Sequence, residues 1–242
     1  MNKLKHITHS VFSSLTKNTP TAIIVAAIML SLSHVAYGVL VQKKSSSGTF
    51  QPFTGAPVTE KDYPTGKVKS DVIVVEYSDT QCPFCAQVQP TMKRLQEDYA
   101  SKVAFVYRYF PLTSIHPDAF GEAKAIDCVG KLAGGEKRRD YINKIFEYKT
   151  SQKNMVLKKG DTVTFAKEFG VDEQQLTACV NNPETDTIVN NALQDGVNAG
   201  VQGTPASMVL KKKGDGYELV AFIDGARQYE YFKAAIDEAL SR

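Results

Sequence analysis

The strongest constraint on how this chain folds is the run Asp71-Val72-Ile73-Val74-Val75-Glu76-Tyr77, followed within five residues by Cys82-Pro83-Phe84-Cys85. β-Branched residues without polar alternation read as a strand buried on both faces. Cys82 to Ala100 reads as a helix. Pro83 suits its first position, where a missing N–H costs nothing. Val88, Met92, Leu95 and Tyr99 recur at helical spacing and mark one buried face. Pro90 removes one backbone bond inside that helix and is expected to kink it. Val103 to Tyr109 returns to a strand, whose Phe105, Tyr107 and Tyr109 suit a core or a groove lining.

From about Ser114 to Gly200 the pattern is helical. Pro117 opens a first helix to about Leu132; Asp140 to about Tyr148 is a second, and Asp161 to Phe169 a third, stopped by Gly170. A fourth starts at Asp172, with Gln175 completing a capping-box-like pair and Val171 placed to staple onto Leu176. Asn182-Pro183 opens a fifth, with Ile188, Val189, Ala192, Leu193, Gly196 and Val197 on one face and Gly200 as its stop. Strand period resumes in Ala206–Lys211 and Tyr217–Ile223, which flank a Gly-rich turn as a hairpin. Tyr229 to Leu240 closes the chain as a helix. The order is that of an α/β fold with a central helical insertion at about 114–200.

Four cysteines stand at 82, 85, 128 and 179, and four cysteines allow three pairings. Cys82 falls at a helix N-cap, where unpaired N–H groups and the helix dipole favour negative charge. A thiolate there is stabilised, its pKa falls, and a disulfide made from it becomes more oxidising. Cys85, one turn later, is expected to face inward as the resolving thiol. Zinc knuckles also use C-x-x-C, and a plain structural disulfide is a further alternative; no metal is expected, because Cys128 and Cys179 are 51 residues apart on separate predicted helices. Cys128 lies off the stripe formed by Ala119, Ala123 and Ile126 and can face another helix of the insertion. A structural Cys128–Cys179 disulfide is expected, with two buried free thiols as the alternative.

Charge and hydropathy set the remaining organisation. With 43% hydrophobic and 23% charged residues, a chain of 242 can bury a sizeable core. The formal net charge is +3, but residues 1–44 hold five lysines and no acid, leaving 24 basic against 26 acidic residues beyond them. That balance argues against a nucleic-acid partner. The short Lys211-Lys212-Lys213 run reads as a solvated hairpin tip. Residues 21–41 contain no Asp, Glu, Lys or Arg. As a helix they would span about 30 Å, enough to cross a bilayer. They are expected to form an N-terminal transmembrane helix, with 1–20 as a cytoplasmic segment by the positive-inside rule. A signal peptide cut after Ala36-Tyr37-Gly38 is the alternative. Both deliver the rest of the chain to the extracytoplasmic side. Residues 42–66, rich in Ser, Gly, Thr and Pro, read as a linker, and 67–242 as the folded domain.

The run from Val74 through Cys85, with Pro90 five residues on, resembles the active site of the thioredoxin superfamily. Phe110-Pro111-Leu112 followed by His116-Pro117, the helical insertion, and Gly203-Thr204-Pro205 before the hairpin resemble its DsbA-like branch, over about Val58 to Leu240. The resemblance implies a thioredoxin-like fold and a cis Pro205 against the Cys82–Cys85 pair. It implies that the Thr204 backbone pairs with an extended client, an instance of β-augmentation, beside Pro83 and Phe84. It also implies that Glu76 is a buried acid moving protons at Cys85, where the residue pattern alone equally allows a strand-end glutamate reaching solvent. His116 is expected to pack or cap beside a helix start. No cofactor is required. The expected partners are exported proteins with free thiols and a membrane redox partner for reoxidation. Reduction or isomerisation at the same site is an alternative, as is a membrane-tethered client-binding module that does not use the thiols.

Overall fold

The computed structural model describes residues 51–158 and 160–242. The expected span at 21–41, the segment 1–20 and the first part of the expected linker lie outside them. Among the described residues no helix is long and apolar enough to cross a membrane.

Two short strands, β1 (Gln51–Pro52) and β2 (Thr65–Gly66), flank a 3-10 turn at Glu60–Asp62. There follow β3 (Val72–Ser78), α1 (Pro83–Asp98) and β4 (Ala104–Tyr109). The insertion comprises α2 (Ala119–Ala133), α3 (Gly135–Gln152), α4 (Asp161–Glu168), α5 (Glu173–Val180) and α6 (Pro183–Asn198). The hairpin β5 (Ala206–Lys213) and β6 (Gly216–Asp224) and the helix α7 (Tyr229–Ser241) complete the chain. The sheet runs β1-β6-β5-β3-β4-β2; only β3 and β4 pair parallel.

All seven residues of β3 are buried, because helices or the insertion cover both faces of this central strand. Successive side chains point to opposite faces. Val72 and Val74 join Val88, Met92 and Leu95 of α1 and Phe232 and Ile236 of α7. Ile73, Val75 and Tyr77 pack on the other face with Val106 and Met208, against Phe53, Val58 and Leu193. Each such side chain contributes about 1.5–3 kcal/mol on burial. Gly196 lets α6 approach that face closely: a Cβ there would lie 2.5 Å from the Phe110 ring. A third cluster fills the insertion and includes Cys82, Cys85, Tyr107 and Tyr109.

Three expectations are corrected. Residues 51–66 are not a linker: β1 and β2 form the two edges of the sheet, and Phe53 and Val58 pack on it. Arg108 of β4 fastens this segment, donating to Asp62 Oδ1 at 2.8 Å and to the carbonyls of Ala56 and Pro57 at 3.0 and 3.2 Å. The composition of the stretch correctly denies it long elements, but its anchors are backbone ladders and a distant arginine. Helix α3 starts at Gly135 rather than Asp140, because Gly134 (φ 90°) alone makes the break between α2 and α3. Val197 is 52% exposed, one residue round the helix from the buried Gly196, so the apolar face of α6 is narrower than expected. Asp172 caps α5 by accepting from the N–H groups of Gln174 and Gln175, and Val171 and Leu176 are both buried in the insertion core. A disulfide joins Cys128 of α2 to Cys179 of α5, with Cα atoms 5.8 Å apart.

Candidate active site

Cys82 caps α1 in extended conformation, with Pro83 at the first helical position. Its N–H donates to Asp79 O at 3.1 Å, and its Sγ lies 3.3 Å from Thr204 O. The Thr204–Pro205 bond is cis and opens β5, the strand beside β3, so the two halves of the site meet at adjacent strand ends. Cys82 is 4% exposed and Cys85 fully buried, and both are free thiols. Pro83 is exposed, and Phe84 projects from the same turn at 59% exposure.

The two thiols are held apart in acidity. A hydrogen bond from Cys85 is the largest cause lowering the Cys82 thiol from 9.0 to about 6, against the opposing effect of its burial. Thr204 and the backbone N–H groups of Cys85 and Phe84 add to the lowering. Burial pushes Cys85 well above its ordinary value, and the bond to Cys82 and the charge there push the same way. The arrangement therefore holds one thiolate at the mouth of the site and one thiol beneath it.

Apart from His116, the turn between β3 and α1 is fastened by residues to which the sequence assigned no role. Asp79 accepts at Oδ1 from the Gln81 N–H (2.7 Å), and at Oδ2 from the Leu112 N–H (2.8 Å). His116 Nδ1 also lies 2.8 Å from Oδ2, so this histidine packs beside the start of the insertion. The Asp79 N–H points at Cys85 Sγ, 3.4 Å away. Gln81 exchanges hydrogen bonds with Asp118. Lys149 of α3, completely buried, donates to Thr80 O at 3.0 Å and to Glu122 Oε2 at 2.5 Å, while the Thr80 hydroxyl donates to the same carboxylate. The signal for this clamp was a polar Ser78-Asp79-Thr80-Gln81 run between a buried strand and a helix, since buried polar groups require partners. The partners outside the turn and α1 lie 33 or more residues away in sequence and carry no local mark.

Glu76 is 1% exposed and faces α1 from β3. It accepts from Gln89 Nε2 at 2.8 Å. Gln89 lies one turn after Cys85 on the same buried face of α1. Burial raises the Glu76 pKa, while the Arg139 charge and hydrogen bonds from Ser78 and Gln89 pull it back. Tyr107, the register partner of Glu76 on β4, is held protonated by burial and by the charges of Glu76 and Cys85.

Residues 58–238 match the family model described as Thioredoxin. Among curated proteins, the chain is 35% identical over 83 residues to the Na(+)/H(+) antiporter NhaA 3 of Salinispora tropica, covering 34% of this chain and 13% of that protein. It is 24% identical over 175 residues to an NhaA 1 of Mycolicibacterium vanbaalenii, covering 70% of this chain and 27% of that one. The chain thus spans about a quarter or less of these relatives' length. Among solved structures, it resembles oxidised BdbD from Bacillus subtilis with a TM-score of 0.65 at 20% identity, over 79% of this chain and all of that one. Pseudomonas aeruginosa DsbA2 gives 0.61 at 22%, over 76% and 96% of the two chains. The thiol-disulfide exchange protein alpha-DsbA2 of Wolbachia pipientis gives 0.58 at 20%, over 74% and 90%. With the C-x-x-C at the mouth of α1, a cis proline beside it and five helices inserted in the sheet, the chain belongs to the thioredoxin family.

Proposed function

We propose that this chain is a DsbA-like disulfide oxidoreductase that runs in the oxidising direction on exported proteins. The observation that carries this reading is the Cys82 thiol lowered to about 6 beside a partner held well above its ordinary value. A field that stabilises the Cys82 thiolate favours the reduced enzyme, and so makes its disulfide a strong oxidant. In the proposed reaction a client thiolate attacks Cys82 Sγ, the Cys82–Cys85 bond breaks, and Cys85 leaves, taking a proton from Glu76. A second client thiolate then displaces Cys82 and completes the client disulfide. Thr204, at the end of a central strand beside Cys82, supplies backbone for an extended client to pair with, against Pro205. Exposed Pro83 and Phe84 contact the client from the other side.

An extracytoplasmic setting is part of the proposal. The Cys128–Cys179 disulfide supports it, since such bonds persist in oxidising compartments. The apolar segment 21–41 would tether the domain there, within reach of a membrane redox partner that reoxidises Cys82 and Cys85. Equilibrating the full chain with glutathione buffers tests the direction: a reduction potential above about −200 mV is expected. A value near thioredoxin's, about −270 mV, overturns the oxidising reading in favour of a reductase. A Cys85→Ser variant should accumulate mixed disulfides between Cys82 and clients. Its failure to do so with a reactive Cys82 would remove the exchange mechanism.

A further inference from the structure

Arg139, at the start of the second turn of α3, is 8% exposed, yet its Nε and Nη1 have no hydrogen-bond partner among the described residues. Two buried guanidinium nitrogens without partners are costly and call for a role. Its neighbour Arg138 donates from Nη2 to Tyr107 O at 3.0 Å, and Tyr107 is the register partner of Glu76. That bond sets the start of α3 at the level of the sheet where Glu76 lies. The Arg139 charge lowers the Glu76 pKa and the Glu76 charge raises that of Arg139. Burial, partly offset by the charge on Glu76, lowers the Arg139 pKa to about 10, so the guanidinium stays protonated at neutral pH. The other groups acting on Glu76 are Tyr107 from β4, Gln89 from α1 and Ser78 from its own strand. The register neighbour on β5 is the uncharged Ser207.

We propose that Arg139 is a positioning residue of the thiol–disulfide cycle, a cation lent by the helical insertion that lets the buried Glu76 release its proton as well as hold it. The inference rests on the oxidoreductase reading above. When a client thiolate attacks Cys82 Sγ, the electron pair of the broken S–S bond stays on Cys85, and the Glu76 carboxyl proton moves to that sulfur. The carboxylate left behind is balanced by Arg139. In the return half, a disulfide reagent has first formed a mixed disulfide on Cys82. The Cys85 S–H then gives its proton to the Glu76 carboxylate, its sulfur attacks Cys82 Sγ, and the reagent leaves as a thiolate. The first half needs Glu76 protonated and the second needs it ionised; Arg139 serves the second.

The test reacts the reduced full chain with oxidised glutathione across pH and follows decay of the Cys82–glutathione mixed disulfide. Arg139→Met should slow that decay about tenfold near neutrality and move the acidic limb of its pH–rate profile up by about one unit, the size of effect a nearby charge exerts. Arg139→Gln, which keeps the polar bulk, carries the same expectation where the first variant does not fold. Arg139→Lys should restore the wild-type profile. In a Glu76→Gln background, adding Arg139→Met should change the rate less than about twofold, since the two residues act as one unit. A folded Arg139→Met or Arg139→Gln variant with the wild-type profile overturns the proposal, as does an equal loss with and without Glu76. If the wild-type chain forms no mixed disulfide at all, the oxidoreductase reading itself fails.

Discussion

At Cys82 a single sulfur links folding to chemistry. The fold lowers its thiol from the ordinary 9.0 to about 6, so between those values the folded reduced protein binds fewer protons than the unfolded chain. This contribution to stability is complete above the unfolded value and is lost as the pH falls through 6. The oxidised protein has no such group. The stability of the reduced form relative to the oxidised form is therefore expected to rise by about 2 kcal/mol between about pH 5 and about pH 8. Urea denaturation of both forms measures this directly. The loop-closure effect of the 82–85 disulfide does not depend on pH and cancels in the comparison. The raised Cys85 thiol acts in the opposite sense only above the unfolded value, outside the window. A difference that does not change with pH would show that the Cys82 thiolate is not stabilised by the fold.

Between elements, the insertion is joined to the active-site turn by buried charge as well as by apolar packing. Lys149 of α3 reaches Thr80 O and the Glu122 carboxylate with no exposure to solvent. Burial pushes Glu122 up and Lys149 down, and each one's charge opposes the other's shift. Lys149→Met leaves that carboxylate unpaired and the Thr80 carbonyl short of a donor. It is expected to cost about 3–5 kcal/mol in urea unfolding at neutral pH. A Lys149→Met, Glu122→Leu double variant should recover most of the loss, because the desolvated charge is removed with its partner. A single variant as stable as wild type would show that the pair does not hold the turn. The same elements mark what could be read locally. The strand with Glu76, the helix opened by Pro83 and the turn at Gly203-Thr204-Pro205 were legible because each carries its own periodicity or punctuation. Lys149 and Arg139 were not, since a helical lysine or arginine looks alike in sequence whether it faces water or a carboxylate.

Across the whole molecule, residues 51–66 close both edges of the sheet and cover Arg108, which also donates to Asp195 Oδ2 at 2.6 Å. Deleting 51–66 from the full chain strips Arg108 of Asp62 and two carbonyls and bares the edges of β4 and β6. A loss of about 3 kcal/mol or more is expected in urea unfolding, with new self-association by light scattering, since exposed edges template pairing. Unchanged stability would return the stretch to the status of a linker. By itself the sequence determined the strand–helix–strand order, the helical insertion, the placing of Cys82 at a helix N-cap and the hairpin that follows Thr204-Pro205. These follow from side-chain period and from backbone restrictions that act over a few residues. Only the tertiary structure decided that Cys82 meets Thr204 and that Asp79 grips Leu112 and His116. It alone brought Arg138 and Arg139 to the level of Glu76 and made the expected linker an edge of the sheet. Each of those outcomes satisfies a buried polar group or a strand edge with a partner far away in the chain, and the need for a partner is written locally while its identity is not.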